Sequence, residues 1–240
     1  MNQYRSEMSV MDKLSGTTEL TGAMSAVIKQ TYMLLAVAVF CAMAGGYVGA
    51  TSETMVSFFS SRMGWIAAMV LLNVIPWVAM ACRHNPALGV TALVADGFLS
   101  GIVLSPILWV ASQYAPGMIL AAFMVTGAVF LGITGYIMTT KRTFSAPKGL
   151  MIGLMISIMA AITLNMFMNI GFMGIVISAG IGIFGVFSLV FSTSTVLNSQ
   201  DADSPIPGAL MLFAGLFNVF VATLNILLRL FGGGGGGRRG

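Results

Sequence analysis

The sequence predicts an all-α polytopic membrane protein, built as a single bundle of hydrophobic helices. Of its 240 residues, 58% are hydrophobic and only 8% are charged, whereas soluble domains carry about 25% charged residues. So few charges could not cover a water-facing surface, and the high hydrophobicity also excludes a disordered chain. Seven apolar runs of about 20 residues are each long enough to cross the hydrocarbon core of a bilayer. The short linkers between them leave no room for a separate soluble domain.

The first half of the chain contains three of these segments. A polar stretch, residues 1–29, lacks the apolar run of a signal peptide and is expected to stay in the cytoplasm. The first segment, 31–50, follows it, and the second, 64–82, stops at Arg-His-Asn-Pro. The third, 87–111, is interrupted by Asp96 and Pro106.

Four further segments complete the predicted bundle, which extends over residues 30–231. The fourth ends before Thr-Thr-Lys-Arg, and a polar stretch rich in Asn, Ser and Asp separates the sixth from the seventh. Residues 232–240, six glycines and Arg-Arg-Gly, are expected to form a flexible tail. The segments are 117–138, 149–169, 171–196 and 208–230.

The distribution of Lys and Arg predicts a cytoplasmic N-terminus. With seven spans, the inner side holds seven basic residues: Arg5, Lys13, Lys29, Arg83, Lys141, Arg142 and Lys148. The outer side holds four: Arg62, Arg229, Arg238 and Arg239. Cytoplasmic loops are the ones enriched in Lys and Arg. Because three of the outer four lie near the C-terminus, the side of the C-terminus stays open. The scattered basic residues form no face for nucleic acid, despite a net charge of +4.

Small residues predict close helix packing. Three Gly-x-x-x-Gly pairs occur, at 45/49, 97/101 and 149/153. Such pairs let helix backbones approach each other in lipid, although 29 glycines also produce them by chance.

Residues able to carry out catalysis are scarce. The chain has one histidine and two cysteines, which predicts neither a metal cluster nor a disulfide framework. No nucleophile–base pair or phosphate-binding motif is visible. We therefore expect no enzymatic activity and no cofactor.

Asp96 is the clearest functional candidate, since ionisable residues inside a membrane are costly. If the third segment begins near residue 87, Asp96 lies near its middle. If the segment begins near Gly97, Asp96 caps it at the interface. Both interpretations stay open.

Other polar residues have simpler explanations. Five asparagines within the segments are expected to hydrogen-bond across helices: Asn73, Asn165, Asn169, Asn218 and Asn225. Asp201 and Asp203 could form a weak cation site, but a solvated loop is the default expectation for two acids without further ligands.

Three stretches carry a family resemblance. Residues 122–145 read AFMVTGAVFLGITGYIMTTKRTFS, and residues 101–108 read GIVLSPIL. The sixth and seventh segments contain VFSTSTVLN and ALMLFAGLFNVFVATLNILL. In order and spacing they resemble the transmembrane Bax inhibitor motif family, known in bacteria as the Bax inhibitor/YccA-like family.

The resemblance implies a seven-helix bundle in which the C-terminal helix is central and surrounded by the other six. It also implies residence in a bacterial inner membrane or an organelle membrane, and a role in calcium leak and stress control. The implied pH sensor is a pair of aspartates in the sixth and seventh helices. This chain has Ser192 and Gly215 at those positions, and Thr143 replaces a loop aspartate. Since Ser and Gly do not titrate near neutral pH, the family's gate is not expected here.

Two functions follow as hypotheses. The first is a passive calcium or cation leak pathway without the di-aspartate gate, with Asp96, Ser192, Thr193, Gly215 and Asn218 as pathway candidates. The second is a non-conducting modulator that binds a membrane protease complex through its polar N-terminal segment. In either case the lipid bilayer surrounds the protein, and the sequence favours a bacterial inner membrane over an organelle membrane.

Overall fold

The computed structural model describes residues 2–140, 143–144, 148–168, 172–198 and 204–231. All regular secondary structure within these ranges is helical, which confirms the all-α prediction. The helices are α1 (Asn2–Thr51), α2 (Glu53–Ser60), α3 (Arg62–Ala81), α4 (Pro86–Val103), α5 (Ser105–Tyr114), α6 (Pro116–Thr140), α7 (Lys148–Met168), α8 (Met173–Asn198) and α9 (Pro205–Phe231). The loop acids Asp201 and Asp203, Asn169 and the tail 232–240 lie outside the described residues.

Six helices of the described chain are long and apolar enough to cross a membrane. They are α3, α4, α6, α8, α9 and the part of α1 from Met24 to Thr51. The other predicted segment corresponds to α7, whose apolar part, Met151–Asn165, is shorter. The structure thus agrees with a multi-pass bundle and gives six spans by these criteria.

Local sequence signals explain where the helices of the first half begin and end. Ser61 caps α3, since its Oγ accepts a hydrogen bond from the Gly64 N–H at 3.1 Å. Asn85 caps α4 in the same way by accepting from the Leu88 N–H at 3.3 Å. Side-chain acceptors at these positions satisfy amides that have no partner within the helix. The short helix α2, which Ser52 caps, was missed by the sequence analysis.

The predicted third segment is two helices. Pro106 has no N–H to donate, and its ring clashes with the preceding turn, so α4 ends at Val103 and α5 begins at Ser105. The Ser105 hydroxyl donates to the Ile102 carbonyl across this break. The other suspected interruption, Asp96, leaves the helix continuous.

Helix α9 forms the centre of the bundle. It packs on α1, α3, α4, α6 and α8 and carries many of the buried apolar residues, among them Leu212 and Leu224 at 0% exposure. The central position of the C-terminal helix is confirmed. The surrounding ring is smaller than the resemblance implied, because α7 packs on α8 at the outside of the described bundle.

Close contact between α1 and α4 depends on glycine. A Cβ built on Gly97 would overlap the Ala38 backbone, 3.2 Å from its Cα, and one on Gly45 would collide with the Phe98 carbonyl. Two of the predicted Gly-x-x-x-Gly pairs, 45/49 and 97/101, therefore face each other across one interface. The third pair, 149/153, has nothing within 4 Å of an added Cβ and makes no such contact.

Candidate functional site

The two positions of the implied aspartate pair lie on α8 and α9, which pack against each other antiparallel. Close contacts recur in register along the pair: Gly182 with Ala222, Gly185 with Val219, Leu189 with Gly215, and Val196 with Gly208. Glycine at one position of each contact lets the two backbones approach closely. The centre of the bundle is thus a tightly packed helix pair.

Gly215 is part of this packing. A Cβ added there would lie 2.9 Å from Leu189 Cγ and 3.1 Å from the Leu189 backbone nitrogen. The side chain of Leu189 is fully buried and has little freedom to move. An aspartate at position 215 has no space in this structure, so the position serves helix contact.

Ser192 is buried, but its hydroxyl is already satisfied. It donates to the Ser188 carbonyl of its own helix at 2.7 Å. From the register of α8 and α9, Ser192 lies about three residues, or roughly 4.5 Å, further along the helix pair than the Leu189–Gly215 contact. Neither predicted gate position presents a group that could bind or release a proton.

Thr193 and Asn218 are polar but separate. Thr193 is 0% exposed, and its hydroxyl has no hydrogen-bond partner among the described residues. Asn218 is half-buried and packs beside Gly185 near the other end of the contact. Their positions in the register differ by about seven residues, roughly 10 Å along the axis. The structure does not bring these two candidates together.

Asp96 is a buried carboxyl within a helix. It is 4% exposed and lies ten residues after the first residue of α4. Since α4 begins at Pro86 and Asn85 caps it, the interpretation of Asp96 as an interfacial cap is wrong. In the described part of the chain, no hydrogen bond or ion pair reaches its carboxyl. Because α4 packs mainly on α1 and α3, Asp96 does not take the place of an aspartate at either implied gate position on α8 or α9.

Ser194 makes a contact that the sequence analysis missed. Its Oγ accepts a hydrogen bond from the backbone N–H of Phe144 at 2.7 Å. This bond joins α8 to the segment that follows α6, fifty residues earlier in the chain. The run Ser-Thr-Ser-Thr near the end of α8 was the available signal, but a sequence cannot show which hydroxyl meets a distant amide.

The prediction that asparagines bond across helices is wrong for two of them. The Asn73 side chain donates to the Met69 carbonyl at 2.7 Å, and that of Asn225 donates to the Val221 carbonyl at 3.0 Å. Both acceptors lie four residues earlier in the same helix. Both side-chain amides donate within their own helix because a backbone carbonyl of the preceding turn is always within hydrogen-bond distance.

The sequence of the chain agrees with a known family. Residues 24–233 match the family described as Inhibitor of apoptosis-promoting Bax1. The chain belongs to this family. The resemblance deduced from the sequence is therefore confirmed over most of the chain.

Bacterial relatives cover nearly the whole chain. An uncharacterised protein of Campylobacter jejuni is 33% identical over 208 residues, which are 85% of this chain and 88% of that protein. One from Neisseria meningitidis is 32% identical over 223 residues, 90% and 96% of the two chains. The Escherichia coli protein named Modulator of FtsH protease YccA is 25% identical over 221 residues, 90% and 97% of the two chains.

Within this family, the present chain has no titratable side chain at the two implied gate positions. Ser192 and Gly215 are accommodated by a hydrogen bond within α8 and by contact with Leu189. With no acid at either position, neither helix leaves an unpaired charge at this contact.

Proposed function

We propose that this member of the Bax inhibitor family is a non-conducting modulator that binds a membrane protease complex of the FtsH type. It acts by binding and without catalysis, in a bacterial inner membrane with its N-terminus in the cytoplasm. The observation that carries the proposal is the closed α8–α9 contact, in which Gly215 packs directly on Leu189. The name of the Escherichia coli relative, Modulator of FtsH protease YccA, supports the choice of partner.

The polar N-terminal segment is the proposed binding site for the protease complex. Helix α1 begins at Asn2, and its apolar membrane-crossing part begins at Met24. The preceding 22 residues extend about 33 Å as a helix. They carry charges of both signs: Arg5, Glu7, Asp12, Lys13 and Glu19. Because this charged helix continues directly from a membrane span, it holds its charged surface at a defined height above the bilayer. A partner can bind the helix there.

Co-purification from bacterial membranes tests this proposal. The full chain should retain the protease complex, and deletion of residues 2–20 should abolish retention while the bundle remains monodisperse. Deletion of the tail 232–240 is the matched control and should leave retention unchanged. If the chain lacking residues 2–20 still retains the complex, the N-terminal segment is not the binding site. Failure of the full chain to retain any membrane protease would overturn the proposed function.

A calcium leak is the second candidate, supported by the buried Asp96 carboxyl and the unpaired Thr193 hydroxyl. Calcium flux into proteoliposomes at pH 6, 7 and 8, with Asp96→Asn alongside, separates the two functions. The modulator proposal expects flux equal to that of empty liposomes. An ungated leak would give flux with little dependence on pH. A steep dependence that Asp96→Asn removes would assign the sensing role to Asp96.

A further inference from the structure

A lateral cleft opens between α1 and α6, with α9 at its base. Both helices pack on α9 but only weakly on each other, which leaves a cavity of about 870 Å³. Phe217 and Phe220 of α9 line its base, and Phe123 of α6 lines one wall. On the α1 rim, Phe40 and Tyr47 are 69% and 74% exposed, so the cleft opens sideways, toward the bilayer.

The elongated shape of the cleft suits a hydrocarbon chain. Its lining extends from Tyr32 to Thr51 on α1, about 28 Å, and from Ile119 to Phe130 on α6, about 16 Å. The cleft is therefore elongated along the helix axes, and it is open along one side. An extended hydrocarbon chain from the surrounding lipid has the shape that such an apolar cleft accepts.

Polar groups gather at one end of this apolar cleft. Glu53, Ser112 and Gln113 line the end formed by α2 and α5. The Ser112 hydroxyl donates to the Trp109 carbonyl of its own helix. Glu53 is the charged group at this end, and the Gln113 amide makes no hydrogen bond within the described part of the chain. Trp109 also lines it, and aromatic residues of this kind concentrate where a bilayer meets water.

We propose that the cleft binds one acyl chain of a phospholipid whose headgroup bears a primary ammonium group, with the ammonium beside Glu53. The apolar walls hold the chain by van der Waals contact, because an acyl chain that comes from the bilayer gains nothing from leaving water. Glu53 selects a cationic group over an anionic one. The remaining lining at this end contains no Lys or Arg to hold an anionic headgroup.

Glycine at position 127 allows a clean test. Gly127 lines the cleft on α6, and a Cβ added there meets nothing within 4 Å. Gly127→Leu therefore fills the cleft without disturbing the helix contacts. Gly132 on the same helix also has open space but does not line the cleft, so Gly132→Leu is the matched control. Met43→Phe, on the opposite wall, is a second blocking variant if Gly127→Leu does not fold.

Native mass spectrometry of the purified full chain, with added phosphatidylethanolamine or phosphatidylglycerol, measures the bound lipid directly. The wild type should retain one phosphatidylethanolamine in preference to phosphatidylglycerol by about two- to fivefold, the range expected of one exposed charge pair. Gly127→Leu should lower retention about tenfold, since an overfilled cleft excludes the chain, and Gly132→Leu should not change it. Glu53→Gln should remove the preference between the lipids while keeping chain binding.

Equal lipid retention by wild type and both blocking variants would overturn the proposal, as would a preference for phosphatidylglycerol. A lipid preference that survives Glu53→Gln would overturn the role of Glu53. If the blocking variants lose a co-purifying membrane protein but keep the lipid, the cleft binds a helix instead. None of these results depends on whether residues 2–20 retain the protease complex.

Discussion

Replacing Gly101 by alanine adds one carbon atom at the point where α1 and α4 touch. The new Cβ would lie 2.6 Å from the Gly46 backbone nitrogen and 2.9 Å from the Ala42 carbonyl carbon. It would also collide with the Ala42 carbonyl oxygen. All three atoms belong to the backbone of α1, so none can rotate away as the end of a flexible side chain could. The two helices must move apart to accept the substitution.

The cost follows from this geometry. Overpacking a well-filled interface typically costs about 1–3 kcal/mol, and displacement of a backbone places Gly101→Ala at the upper end. Separation of the helices would also loosen the neighbouring contact of Gly97 with Ala38. We therefore expect a loss of about 3 kcal/mol in the free energy of unfolding, which is more than about a hundredfold in the unfolding equilibrium.

Gly153→Ala is the matched control, because it belongs to the third Gly-x-x-x-Gly pair and has open space around it. Its effect should stay within about 0.5 kcal/mol or be slightly stabilising, since alanine favours helix more than glycine does. Reversible unfolding by SDS in mixed micelles gives both values. A Gly101→Ala variant as stable as the wild type would refute the argument from close approach. Equal destabilisation by both variants would show that glycine flexibility, and not the interface, is what matters.

Three further substitutions test the site. Gly215→Asp should prevent accumulation of folded protein, because the position has no space against α8 and the new charge has no partner; size-exclusion elution like that of the wild type would contradict this. For Asp96→Asn, the free energy of unfolding in SDS at pH 7 should equal the wild-type value or exceed it by up to about 1–3 kcal/mol, since the substitution removes no partner. A clearly lower free energy of unfolding would reveal an ionic partner of Asp96. Ser194→Ala should cost about 1–3 kcal/mol and speed hydrogen exchange at the Phe144 amide. Ser192→Ala, whose hydroxyl bonds its own helix, should leave that exchange unchanged.

Apart from the start of the first segment, the outer ends of the predicted segments lie within about three residues of helix ends, because the signals that end a helix are local. Asn85 and Pro86 start α4, and Pro106 divides it from α5, through hydrogen bonds and clashes within a few residues. The helix α2 escaped prediction because its eight residues are too short to give a clear hydropathy signal. The bonds of Asn73 and Asn225 to their own helices show the opposite error, an expectation of distant partners where a local one was available.

The candidate site was only partly predictable. The absence of aspartate at Ser192 and Gly215 follows directly from residue identity. The close packing of Gly215 on Leu189, and the bond between Ser194 and Phe144, join residues far apart in sequence. No spacing along one chain indicates which of several hydroxyls or glycines will meet such a partner.

By itself, the sequence determined the membrane class, the approximate helix ends, the family and the absence of acids at positions 192 and 215, because hydrophobicity, helix breakers and residue identity are read along the chain. Tertiary structure alone decided that Asp96 is buried within α4, that two glycine pairs form one interface while the third does not, and that a cleft lies between α1 and α6. The physical reason is the solvent. In lipid, apolar residues are equally suited to the bundle interior and to its outer surface, so hydropathy cannot show which face of a helix meets a neighbour.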